Sequence, residues 1–93
     1  MVITVRFIGA FRSASSKNKL SVKAENVSLK EIINKIVENR PKLKRALIDP
    51  ELNDPRPNTL ILVNGKEINV LDGLETRLKD GDEVVFVPVV HGG

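Results

Sequence analysis

From Val2 to Ile8 the chain alternates, with Ile3, Val5 and Phe7 on one face and Thr4 and Arg6 on the other, which predicts a strand. Gly9 through Asn18 is small and polar and reads as a turn. Leu20, Val22 and Ala24 then alternate again, so the first two strands are expected to form a hairpin. At Ser28-Leu29-Lys30-Glu31 the period changes. The spacing is that of a capping box, with Val27 and Ile32 placed as a hydrophobic staple. Leu29, Ile32, Ile33, Ile36 and Val37 recur at i, i+3, i+4, i+7 and i+8, one apolar stripe that predicts a helix over 28–39, ended by Asn39 and Pro41.

Leu43, Ala46, Leu47 and Ile48 suit one more helical turn, before Pro50, Asp54, Pro55, Pro57 and Asn58 impose a loop. Thr59–Val63 reads as a strand and Lys66–Val70 as its return, joined by Asn64-Gly65, the strongest two-residue hairpin signal. Asp72-Gly73 and Asp80-Gly81 mark turns around Leu74 and Leu78, and Glu83–Val90 is the last strand. Strand, strand, helix and further strands make an α+β chain with one helix for one sheet face. Yet residues 60–63 and 84–87 are apolar on both faces. Either 43–48 covers the second face or part of it stays exposed as a partner patch. In the latter case one pair, Val84/Phe86 or Val85/Val87, faces away from the helix.

Composition narrows the chemistry. With 93 residues the chain is one domain, expected to span 1–88 with a flexible tail at 89–93. It has no cysteine and one histidine, His91. That excludes a disulfide scaffold, a thiolate or histidine-cluster metal site, and a cysteine nucleophile or persulfide. No metal is therefore expected. No apolar run approaches the ~18 residues of a membrane span and no basic-then-apolar leader opens the chain, so the expected setting is the cytoplasm. The net charge of +3 is unevenly spread. Residues 1–24 carry five cations and no acid, residues 35–45 five cations against Glu38 alone, while 72–83 is acidic. An RNA-interaction domain is one reading of the basic segments, but three Phe and no Tyr or Trp supply few stacking platforms, so direct nucleic-acid binding is not expected. Nucleotide-binding glycine motifs are absent, and Asp80-Gly81-Asp82-Glu83 lacks the spacing of a calcium loop.

The end of the chain is distinctive. An apolar strand runs to Val90 and two glycines follow His91. Without Cβ atoms, Gly92 and Gly93 can enter a slot too narrow for side chains. From Pro88 the five further residues reach roughly 17 Å, enough to place a terminal carboxylate inside a partner's active site. A carboxylate needs activation before it reacts as an acyl donor, and this chain has no nucleotide motif, so a partner must activate it.

These residues carry a resemblance. The chain resembles the ubiquitin-like sulfur carriers: the MoaD family of small molybdopterin synthase subunits and the related ThiS and Urm1 families. The resemblance runs through Val5-Arg6-Phe7, Phe11-Arg12, the capped helix, Ile61-Leu62-Val63-Asn64-Gly65, Leu71-Asp72-Gly73-Leu74, Leu78-Lys79-Asp80-Gly81-Asp82-Glu83-Val84, Pro88 and Gly92-Gly93. It implies a ubiquitin-like β-grasp fold, a mixed sheet packed on one main helix. It also implies that an E1-like enzyme spends ATP to adenylate the Gly93 carboxylate, which a sulfurtransferase step converts to a sulfur-donating thiocarboxylate. The chain would then be a carrier and co-substrate with no bound cofactor. Its acceptor would be a larger molybdopterin synthase subunit or a tRNA-thiolation enzyme. The alternative is a protein modifier conjugated through Gly93 to lysines. Where the molybdopterin subunits close with Pro-Pro-Val before the glycines, this chain has Val87-Pro88-Val89-Val90-His91-Gly92-Gly93, and His-Gly-Gly lies closer to the Urm1-like carriers. Gly92 and Gly93 are thus the expected chemical site. Phe86, Pro88, Val89, Val90 and His91 are expected to meet the partner, with His91 reading more readily as a passive spacer because it lacks an orienting group.

Overall fold

The computed structural model describes residues 1–89. In chain order the elements are β1 (Val2–Phe7), α1 (Ala10–Ser15), β2 (Lys19–Lys23), α2 (Leu29–Val37), α3 (Pro41–Leu47), β3 (Thr59–Val63), β4 (Lys66–Glu67) and β5 (Glu83–Pro88). Two single 3-10 turns, Ile68–Val70 and Gly73–Glu75, lie between β4 and β5. The sheet order is β2-β1-β5-β3-β4, with β1 and β5 parallel at its centre and the outer pairings antiparallel. This is the expected mixed sheet of a β-grasp.

α2 forms as its spacing predicts. Ser28 Oγ accepts from the Glu31 amide at 3.2 Å and Glu31 Oε1 accepts from the Ser28 amide at 3.1 Å, so the box closes in both directions. All five stripe residues are buried. The hairpin signal at Asn64-Gly65 also holds: φ is +51° and +82°, the paired left-handed turn whose twist suits flanking strands.

Three expectations are corrected. Gly9–Asn18 is not a turn but contains α1, since Phe11 and Ser15, one helical turn apart, both face the core. Buried Ser15 is satisfied locally, its Oγ donating to Phe11 O at 2.7 Å. The return Lys66–Val70 is a strand only to Glu67. Ile68 then drops into the core through a 3-10 turn, capped by the Glu67 carboxylate accepting from the Asn69 amide at 2.8 Å. The last strand ends at Pro88 rather than Val90.

All buried apolar residues form one cluster. It takes Ile3, Val5 and Phe7 from β1, Ile61 and Val63 from β3 and Val84 and Phe86 from β5, under Phe11, the α2 stripe, and Leu43 and Leu47 of α3. Phe7 and Phe86 stack with centroids 6.1 Å apart. α3 therefore joins α1 and α2 on the inner face, where Leu47 O accepts from the buried Thr59 hydroxyl at 3.2 Å. Among the described residues the outer face of the sheet carries no helix.

Candidate docking face and C-terminal exit

That bare face decides the parity the sequence left open. On β5, Val84 and Phe86 point inward and are fully buried, so Val85 and Val87 point outward and are half-buried. The register sets Leu60 beside Val87 and Leu62 beside Val85, making a four-residue aliphatic patch across two strands. Arg6 lies beside Val85 on the other side and its Nε is 2.5 Å from the Glu83 carboxylate. The pair borders the patch without covering it, since both side chains stay well exposed.

Phe86 was expected to meet a partner; its exposure is 0%. It is a core residue stacked on Phe7 and reaches no partner while the domain is folded. Leu60 and Leu62 take its place on the outer face. Their alternation was visible, but which parity pointed out depended on where the helices landed.

β5 ends at Pro88, beside the corner between β1 and α1. Gly9 has φ +58° and sits against Pro88, so closely that a Cβ at Gly9 would lie 3.1 Å from Pro88 Cγ. The missing side chain is thus what lets the exit proline pack against the β1–α1 corner. Val89 is 41% exposed, and its amide donates to Asn58 O at 3.0 Å, tethering the strand end to the loop before β3. Pro88 and Val89 are brought together with the patch, through Val87 and its neighbour Leu60. Val90, His91, Gly92 and Gly93 lie outside the described residues.

Among the described residues no group of three or more His, Asp or Glu could hold a metal ion, and no helix is long and apolar enough to cross a membrane. All three Phe are buried, so none can stack on a base. One ion pair displaces both of its titrations: the Arg56 guanidinium, 2.5 Å from the Asp54 carboxylate, holds that acid below its ordinary range through hydrogen bonding, partly opposed by burial, and the same hydrogen bond raises Arg56. It belongs to the loop between α3 and β3.

A five-stranded mixed sheet clasping a capped helix, with a bare apolar outer face running into a Gly-Gly sequence, defines a β-grasp domain of the ubiquitin type. The sequence matches the ThiS family over residues 5–93, and the chain belongs to that family. It is 36% identical over 101 residues to ubiquitin-related modifier 1 of Schizosaccharomyces pombe, covering 100% of both chains. It is 31% identical over 98 residues to the sulfur carrier protein CysO of Mycobacterium bovis, again covering 100% of both. In the crystal structure of the Amycolatopsis orientalis BexX/CysO complex, a chain 28% identical to this one superimposes with a TM-score of 0.74, covering 98% of this chain and 99% of that one.

Proposed function

We propose that this protein is a ubiquitin-like sulfur carrier. Its aliphatic outer face docks on an E1-like enzyme while the segment after Val89 carries Gly93 into that enzyme's active site. The observation that carries the reading is the continuity of the patch with the exit: Leu60, Leu62, Val85 and Val87 adjoin Pro88 and Val89, which lead directly to Gly92-Gly93. Four residues past Val89 reach at most roughly 13 Å, so the docking face must lie close to the chemistry it serves. The relatives named sulfur carrier and modifier support the same reading, and a relative solved in a complex supports a protein partner.

In this reading the Gly93 carboxylate attacks the α-phosphorus of ATP and displaces pyrophosphate, giving an acyl-adenylate. A sulfurtransferase persulfide then attacks the acyl carbon and displaces AMP. A thiol attacks the sulfurtransferase sulfur of the resulting acyl disulfide and leaves as a mixed disulfide with it, freeing the thiocarboxylate on Gly93. That sulfur then bonds to an activated acceptor, and water attacks the acyl carbon, breaks the acyl–sulfur bond and restores the carboxylate. The protein contributes the acyl group and the address, and the activating enzyme contributes ATP and the catalytic groups. The acceptor is a tRNA-thiolation enzyme or a larger molybdopterin synthase subunit, and the setting is the cytoplasm.

The absence of cysteine makes the test clean. Protein purified from its native cells is treated with a thiol-specific alkylating reagent and read by intact mass and terminal peptide mapping. An adduct on Gly93 is expected, and with no other thiol in the chain it reports a thiocarboxylate. No adduct in the presence of an active E1-like partner overturns sulfur transfer. Gly93 recovered in isopeptide bonds to lysines would instead establish the modifier reading that the relative named ubiquitin-related modifier favours. Removing Gly92-Gly93 should abolish either activity and leave the melting temperature unchanged.

A further inference from the structure

The sheet has a second unmatched feature, on the far side of β1 from the patch. β2 is an outer strand. Phe7 N–H donates to Asn18 O at 2.9 Å and Ala24 N–H donates to Met1 O at 3.1 Å. With the register Val5 to Leu20 and Ile3 to Val22, the even-numbered residues of β2 therefore turn their backbone groups toward β1. Those of Lys19, Ser21 and Lys23 point out of the sheet. Lys23 O accepts from Lys35 Nζ at 2.9 Å. The outward N–H and C=O groups of Lys19 and Ser21 have no hydrogen-bond partner among the described residues. Such an edge is a template for another strand.

Beside this edge runs a groove of about 310 Å³ between β2 and α2. Leu20, Val22 and Ile36 supply its apolar lining, and Lys23, Lys35 and Arg40 its cations. None of these three cations pairs with a carboxylate: among the described residues the ion pairs are those of Arg6, Arg56 and Arg77. Lys19 and Lys23 also share the outer face with Arg6 and Val2, so a docked strand meets positive charge on both of its faces. That arrangement opposes pairing with a second copy, whose β2 edge carries the same lysines, and favours an acidic strand.

We propose that the β2 edge and the β2–α2 groove form a second docking site, for an extended segment of a partner protein. Its backbone would pair with the open edge at Lys19 and Ser21. Its aliphatic residues would seat against the half-buried Leu20, with buried Val22 and Ile36 forming only the floor beneath, and its flanking carboxylates would meet Lys23, Lys35 and Arg40. Because β1 separates β2 from β5, a partner held here leaves the outer patch and the strand end at Pro88 accessible. The site does not depend on whether Gly93 carries sulfur or is conjugated.

The test is an NMR titration of the full chain with a blocked peptide, acetyl-Asp-Asp-Val-Ile-Val-Ile-Asp-Asp-amide, against the same core flanked by lysines. Shift changes are expected over 19–23 and 35–40 with the acidic peptide alone. Exchange of the Ser21 amide should slow by about tenfold or more. Lys35→Glu should weaken binding by about tenfold while leaving the rest of the spectrum in place. Ser21→Pro, which removes an outward N–H and spares the β1 ladder, should do the same, with circular dichroism checking the fold. Shifts confined to Leu60, Leu62, Val85 and Val87, equal binding of the lysine-flanked peptide, self-association through β2, or no shifts at millimolar peptide would each overturn the proposal.

Discussion

Val84 and Val85 are neighbours in sequence and opposites in environment, which makes one substitution applied to each a direct test of the parity on which the docking face rests. Val→Thr keeps the branched shape and nearly the volume, and exchanges a methyl for a hydroxyl. At Val84, exposure is 0%, and the registered neighbours on the same face are Val5 and Val63. The new hydroxyl would find only aliphatic side chains, and the adjacent backbone is already committed to the ladders on both sides. Burying it unpaired costs about 1–3 kcal/mol. For a domain whose whole stability is on the order of 5–15 kcal/mol, that is a large share. At Val85 the side chain is half-exposed and the hydroxyl keeps its water, so the change should stay within about 0.5 kcal/mol. In urea unfolding, with a slope of about 1–2 kcal/mol per molar for a chain this size, Val84→Thr should move the midpoint down by about 1 M and Val85→Thr should barely move it. The functional effects should be reversed: Val85→Thr breaks the continuity of the patch and should slow activation of Gly93. Equal midpoint shifts, or a larger one at Val85, would refute the placement of the outer face.

Three other outcomes follow from the geometry. Gly9→Ala should cost about 1–3 kcal/mol, because φ +58° with ψ −134° is a conformation open essentially only to glycine and a Cβ there would press on Pro88 at 3.1 Å, and shifts of the Val89 amide should report the displaced Pro88. Ser28→Ala opens the capping box and should cost about 1 kcal/mol, read as a lower thermal midpoint with the α2 amides exchanging faster. Asp54→Asn should lose about 1 kcal/mol or less at neutral pH, because Arg56 is half-exposed, although Asp54 itself is mostly buried, and the Arg56 amide keeps a side-chain oxygen to bond. The folded carboxyl titrates below its unfolded value, so its stabilisation is complete above the ordinary carboxylate range and disappears as pH falls through the lowered value. The difference between wild type and Asp54→Asn should therefore close in acid urea melts.

Local signals were legible wherever neighbours in sequence are the partners. Ser28 and Glu31 are one helical turn apart, and Asn64-Gly65 needs only its own backbone angles, so both were readable from the chain. α1 escaped notice because its justification is not local: Phe11 and Ser15 make a helix only once a core exists beneath them. β4 was overdrawn for the same reason, since burial of Ile68 pulls the chain out of the ladder after Glu67.

What the sequence determined by itself is the set of elements with strong periods, and the chemistry left to a chain with no cysteine, one histidine and two glycines at its end. What only the tertiary structure decided is which side of each strand is inside. A period-two pattern that is apolar on both faces has no preferred side until something covers one of them. All three helices landed on the face of Ile61, Val84 and Phe86, so Phe86 became core and Leu60, Leu62, Val85 and Val87 became surface. The register between β3 and β5 is pinned by Asn64, whose side chain donates to Asp82 and accepts from the Glu83 amide, a link across 18 and 19 residues. No local period encodes such a contact, because it exists only when the chain has closed on itself.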